Sequence, residues 1–175
     1  VKLTADITIP AGTTWTPIGS AANPYTGVFD GAGHTVSGLT ASITAAEYSP
    51  EAPFGLFGKT QGATIKNLKM SNVVLSGESS SGSGILCGLA EKTEISGCTI
   101  DSSCSTVSDG ALIGGLACML TGSTVKDCVV AADIQLNGQA PSGGYVYQAN
   151  GSQIINSVFK GTIKGTGAIV YTGGF

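Results

Sequence analysis

The side chains that could carry acid–base or nucleophilic chemistry are few and far apart. His34 is the single histidine and lies in the turn-rich stretch FDGAGHTVSG. A catalytic imidazole needs a carboxylate or a nucleophile within hydrogen-bond reach, and the turn chemistry around His34 favours a structural or surface role instead. Six carboxylates fall in the middle of the chain, at Glu91, Glu94, Asp101, Asp109, Asp127 and Asp133. Grouped on one face, such residues would suit polysaccharide cleavage, in which carboxylates work with calcium or a basic partner. All eight basic residues are lysine, so no arginine is present to steady an enolate-like intermediate. Lys66 and Lys126 are the available cations, and their place in the pattern described below reads as a solvated face. The set of parts is incomplete for catalysis, and no catalytic residue is assigned.

The five cysteines, Cys87, Cys98, Cys104, Cys118 and Cys128, form no C-x-x-C pair and have no histidine cluster beside them. This argues against a zinc site and against a complete disulfide framework. No metal or cofactor is expected.

These groups must be positioned by an unusual polypeptide. Its 175 residues suit one domain, 1–175, with room for a sizeable core. Only 11% of the residues are charged, against about 25% in ordinary domains. With 27 glycines and a mean hydropathy of +0.29, much of the chain must be buried backbone and small side chains. The longest apolar run, residues 111–120, is broken by Gly114 and Gly115 and falls short of the roughly 20 residues that cross a bilayer. A net charge of −3 without arginine removes the usual footprint for nucleic acid. The chain opens on Val1 rather than methionine, and is expected to be a processed or trimmed piece of a longer polypeptide.

A repeat organises the sequence. Similar positions recur at Val36, Ile65, Ile95, Val125 and Ile154, at intervals of 29 or 30 residues. A period in the range of about 20–50 residues marks a solenoid, propeller or array in which each unit buries its apolar face on the next. Two residues beyond each anchor stand Gly38, Asn67, Gly97, Asp127 and Asn156, types that tolerate left-handed backbone. A structural corner is expected at each. The residue after that is Leu39, Leu68, Cys98, Cys128 or Ser157, small to medium side chains able to stack in a file.

A second apolar file is read at Val74, Cys104, Ile134 and Ile163, and a third at Leu56, Leu86, Leu116 and Tyr145. Each unit therefore holds three short extended segments, rich in Val, Ile, Thr and Leu and separated by Gly, Ser, Asn and Asp. The expected fold is all-β, a right-handed parallel β-helix of about five coils with three short strands per coil, and residues 1–35 as an N-terminal capping segment. Five coils at about 4.8 Å spacing would rise about 24 Å. A β-propeller fits less well, because its blades need about 40–45 residues and four strands.

The elements LTADI (3–7), WTPIG (15–19) and FDGAGHTVSGL (29–39), followed by GLFG (55–58) and IKNL (65–68), resemble the GLUG-motif repeat proteins of bacterial surfaces. Later units drift, with ILCG at 85–88, GLAC at 115–118 and GYVY at 144–147. The resemblance implies an adhesin-like protein at the bacterial cell surface or secreted. The motif also accompanies IgA-specific metallopeptidases as an accessory, and no H-E-x-x-H zinc motif occurs here.

Individual residues sharpen the expectation. Trp15 is read as covering the N-terminal end of the coil stack, where an open sheet edge would otherwise invite pairing. Cys98 and Cys128 share one position in adjacent coils, but parallel side-chain vectors disfavour the disulfide dihedral, so buried free thiols are expected. Tyr145 and Tyr147, with Tyr171, lie near the C-terminal end and are the tentative ligand-contact residues, core filling being as good an account of the first two. The functional expectation is a non-catalytic stalk or recognition module for glycan or extracellular protein ligands. The alternative is a carbohydrate-active β-helix enzyme or its glycan-binding accessory domain.

Overall fold

Short β-branched segments with one inward and one outward side chain per pleat can bury an apolar face only by stacking on a copy of themselves, and the chain does so. The computed structural model describes residues 1–43, 53–78, 82–137, 141–166 and 172–174. These form an all-β parallel solenoid of about five coils, and no helix occurs among them. None is therefore long and apolar enough to cross a membrane.

Five parallel sheets run along the stack. Sheet I contains Phe57–Gln61, Cys87–Glu91, Ala117–Thr121 and Val146–Asn150. Sheet II contains Val28–Asp30, Thr64–Lys66, Glu94–Ser96, Thr124–Lys126 and Gln153–Ile155. Sheet III begins with Ile7–Thr8 and continues through Thr35–Ser37, Lys69–Ser71, Thr99–Ile100, Val129–Val130 and Val158–Phe159. Sheet IV is made of Thr40–Ile43, Val74–Glu78, Ser105–Asp109, Asp133–Leu136 and Ile163–Gly165. Sheet V is made of Gly82–Gly84, Leu112–Gly114, Ser142–Gly143 and Thr172–Gly173. The three extended segments expected per coil are thus divided by further corners into five strands.

The core is a set of files inside the coil. Ile65, Ile95 and Val125 stack in sheet II, and Met70, Ile100 and Val130 stack in sheet III, all buried. Each such side chain contributes about 1.5–3 kcal/mol by leaving water. Between these two sheets lies the corner. Asn67, Gly97, Asp127 and Asn156 have φ of +52°, +60°, +53° and +46°.

Three readings of the pattern are corrected. Val36 is not the first-coil counterpart of Ile65; it pairs with Met70 in sheet III, and Phe29 pairs with Ile65. Phe29 and Val36 are seven residues apart where Ile65 and Met70 are five apart, because the first coil carries a longer turn through Ala32 and Gly33. Gly38 is left-handed, at φ +82°, but it falls level with Asn72 rather than with Asn67. Nor do Val74, Cys104, Ile134 and Ile163 form one file. Leu75, Thr106, Ile134 and Ile163 do, while Val74 is 42% exposed and pairs with Ser105. The corner before sheet IV varies in length from coil to coil, which shifts the inward positions relative to a fixed period. Tyr145 is the third correction. It is 0% exposed and continues the Leu56, Leu86 and Leu116 file in the core, which favours core filling over ligand contact.

Candidate functional site

The titratable groups singled out in the sequence do not converge. His34 Nδ1 lies 3.2 Å from Asp6 Oδ1, and the same carboxylate oxygen accepts the Thr35 N–H at 2.9 Å. The pair is a clamp that ties the N-terminal strand to the first coil. Asp6 is held below its ordinary value by the Thr35 N–H and, next, by His34. Asp30 is lowered chiefly by the Ala32 N–H, with Asn67, Lys66 and Lys2 adding to it. Both carboxylates serve the same end of the molecule.

Along the coils four of the six central carboxylates have local work. Glu91 pairs with Lys59 at 3.3 Å across sheet I. Asp101 closes a turn by accepting the Ser103 N–H and hydroxyl. Asp127 accepts the Asn156 amide one coil on, and Asp133 accepts the Thr162 hydroxyl at 2.6 Å. Among the described residues no three His, Cys, Asp or Glu side chains approach closely enough to share a metal ion.

The cysteines are buried and free. Cys128 Sγ accepts the Cys98 N–H at 3.3 Å, and Ser157 Oγ does the same for the Cys128 N–H at 3.1 Å. The file after the corner therefore satisfies backbone donors that the bend leaves over. A parallel file, Thr93, Ser123 and Ser152, works the same way, at 3.0 Å for each step. It follows a second left-handed corner at Gly62, Lys92, Gly122 and Gly151, which the sequence reading missed. Its signal was present as glycine at three of four equivalent positions. Burial pushes Cys87 and Cys118 up to about 12 and Cys104 up to about 11. Cys98 is pushed well up by its hydrogen bond with Cys128 and by burial. These thiols are packing groups at neutral pH.

Tyr147 is half-buried in sheet I, level with Gly88 and Cys118, and Tyr171 lies outside the described residues. Tyr147 lines neither of the two cavities described.

The cavity that stands out lies at the N-terminal end. A groove of about 560 Å³ runs between the loop carrying Thr13, Thr14, Trp15 and Pro17 and the strand Thr40–Ile43, with Phe54 at its side. That volume is in the range of small-ligand and peptide-side-chain pockets, about 300–1,000 Å³. The loop is held rigidly. Trp15 Nε1 donates to Gly55 O at 3.0 Å, the Thr13 hydroxyl donates to Pro10 O at 2.7 Å, and the Asn23 N–H donates to Ser20 Oγ at 3.1 Å. Gly19 turns at φ +80°, where a Cβ would stand 2.3 Å from Lys59 O, so only glycine lets the loop close on sheet I. Trp15 is half-buried against the core and also forms part of the groove wall. Every described lining residue is uncharged, and Thr14, Thr16, Thr40 and Ser42 line the groove with Trp15 and Phe54.

No protein-family model, curated protein or solved structure matches this chain.

Proposed function

We propose that this chain is a non-catalytic recognition module, a β-solenoid of an adhesin-like protein displayed on or secreted from a bacterial cell. The observation that carries the reading is the contrast between the groove and the titratable groups. Among the described residues the groove gathers aromatic rings, prolines and hydroxyls with no charge. Glu91 with Lys59, Asp127 and Asp133 are spent one at a time on coil-to-coil bonds. A neutral, preformed groove on a rigid scaffold fits selective binding, whereas acid–base catalysis needs paired titratable groups at one place. The resemblance of the first 80 residues to surface repeats supports the cellular setting. An extracellular protein or glycan is the expected class of ligand.

The test is to incubate the whole chain with a panel of matrix proteins, bacterial polysaccharides and host glycans, recording retention and new reducing or unsaturated sugar ends together. Retention of a ligand without cleavage, lost on Trp15→Ala, is the expected result. New sugar ends would overturn the reading and return attention to the carboxylates. Silence in both channels would equally overturn it, leaving a structural stalk.

A further inference from the structure

A stack of parallel coils ends in open sheet edges, each with a row of unpaired N–H and C=O groups. At the N-terminal end the chain covers these edges one by one. Val1–Leu3 run along sheet II, where the Asp30 N–H donates to Val1 O and the Leu3 N–H donates to Asp30 O, both at 2.9 Å. Ile7–Thr8 pair with Val36 and Ser37 of sheet III, and the Ile9 N–H donates to Ser37 O at 2.8 Å. On sheet I the Gly58 N–H donates to Ile18 O at 3.0 Å and the Gln61 N–H to Tyr25 O at 2.9 Å.

Sheet IV is treated differently. Its first strand, Thr40–Ile43, pairs with Val74–Glu78 on one side only. In a parallel ladder, alternate residues turn their peptide groups to opposite sides. The Val74 N–H donates to Leu39 O at 2.9 Å, which sets Leu39, Ala41 and Ile43 toward the neighbouring strand. Thr40 and Ser42 therefore present their N–H and C=O groups away from the sheet, and no described residue pairs with them. The neutral groove lies along this same strand, walled by Trp15 and Phe54. Edge strands are usually blunted by charge, proline or a bulge. Thr40-Ala41-Ser42-Ile43 has neither charge nor proline, and its register with Val74–Gly77 is continuous.

We propose that the Thr40–Ile43 edge is a strand-addition site, at which an extended, uncharged peptide segment of a partner protein extends sheet IV. The inference rests on reading the groove as the recognition surface, and it names the ligand class. An added strand offers donors and acceptors that repeat every two residues, about 6.6–6.8 Å, matching the peptide groups of Thr40 and Ser42. Main-chain bonds of this kind supply affinity, while pockets for alternate side chains supply selectivity. Trp15, Pro17 and Phe54 form the apolar wall that such side chains would meet. A sugar can satisfy one of these backbone groups but has no matching two-residue repeat of donor and acceptor. The described lining residues, none of them charged, give an acidic or basic peptide no complement.

The experiment uses the full chain, a bead library of blocked, uncharged octapeptides and a matched panel of neutral oligosaccharides. The best-binding peptide is then remade with single backbone N-methyl groups at each position. N-methylation at alternate positions should weaken binding about tenfold, the worth of one lost hydrogen bond of about 1.4 kcal/mol. The interleaved positions should tolerate it. Amide exchange at Thr40 and Ser42 should slow in the complex, and Ser42→Pro should abolish binding, since the Ser42 N–H has no described partner within the fold. If Ser42→Pro fails to fold, the N-methyl scan still decides the matter, because it alters only the ligand. Loss of affinity without a two-residue period, or no peptide bound at all, would overturn the proposal. Oligosaccharide binding that leaves the Thr40 and Ser42 amides unmoved would overturn strand addition while sparing the recognition reading. Sugar cleavage would overturn that reading itself.

Discussion

The two ends of the stack carry the same kind of apolar files but bury them differently. At the N-terminal end Phe29, Val36 and Leu39 of the first coil are buried in one core with Leu3, Ile9 and Trp15. At the C-terminal end Ile154, Phe159 and Ile163 of the last coil are half-buried, and Ile155 and Val158 are 43% and 38% exposed. The residue types hardly differ between the ends. Among the described residues, what differs is whether another layer of chain lies over them, since each coil of a solenoid is buried by its neighbours. Cover at the N-terminal end is also selective, because among the described residues sheets I, II and III receive a pairing segment and the Thr40–Ile43 edge of sheet IV does not.

The largest effect expected from this contrast is between Ile95 and Ile154, which occupy one file two coils apart. Ile95→Ala should cost about 2–5 kcal/mol, the range for a fully buried aliphatic side chain. Ile154→Ala should cost less than half as much, since its side chain already meets water. Equal losses in chemical denaturation would mean that the last coil is as well buried as the middle ones. A smaller effect should break the contrast, because backbone strain is local and does not depend on cover. Gly97→Val forces a β-branched residue into φ +60° and should cost about 1–2 kcal/mol. Ser96→Val, one residue earlier on the outward face of sheet II, should change stability by under about 0.5 kcal/mol. Melting temperatures that moved equally would remove the corner from the account.

The fold was legible in the central coils for a physical reason. Ile65, Ile95 and Val125 must stack in register, so their coils keep equal length and the period shows. The first coil was misread because TVSGL at 35–39 looks like TIKNL at 64–68: a β-branched residue, a left-handed residue two on, then leucine. That grammar describes any corner of such a coil. Gly38 obeys it at the level of Asn72, so local chemistry could not say which corner it was. Tyr145 was ambiguous because a ring suits both a core and a surface, and only its place in the Leu56, Leu86 and Leu116 file decides. The groove was invisible, since Trp15 and Thr40 are brought together by the path of the N-terminal loop and not by any shared motif. Trp15, read as covering the coil end, packs against the core and also walls the groove beside the Thr40–Ile43 edge.

Thiol reactivity offers a gentler probe of cover along the stack. All five cysteines are buried and lie between residues 87 and 128. A neutral-pH thiol reagent should find none at once in the folded protein and five after denaturation. With time, Cys128 should react before Cys98, because it sits one coil nearer the open end, under Ser157. The rates then read local opening rather than global unfolding. Cys98 reacting first, or fewer than five thiols in unreduced denatured protein, would contradict this order.

The smallest effect should be confined to the covered end and should appear only in acid. Asp6 and Asp30 are both held below their ordinary value of 3.8, first by the backbone N–H groups of Thr35 and Ala32 respectively. A carboxylate with a lowered folded value binds its proton more weakly folded than unfolded. Its contribution is complete above 3.8, shrinks as pH falls through and beneath that value, and is gone once the folded form is protonated too. Asp6 anchors the strand over sheet III through Thr35, and Asp30 stands in the edge that Val1–Leu3 covers. Protonation should therefore loosen the N-terminal cover before the rest. Amide exchange at residues 1–9 should rise relative to residues 94–96 as the solution is taken from pH 5 to below 3.8, and the Asp6→Asn, Asp30→Asn double variant should flatten that dependence. The same change in pH should leave exchange at Ile154 and Phe159 in step with the central coils, since residues 134–175 hold no aspartate or glutamate. If acid opened the C-terminal coil first, the distinction between the two ends would lie in something other than these two clamps.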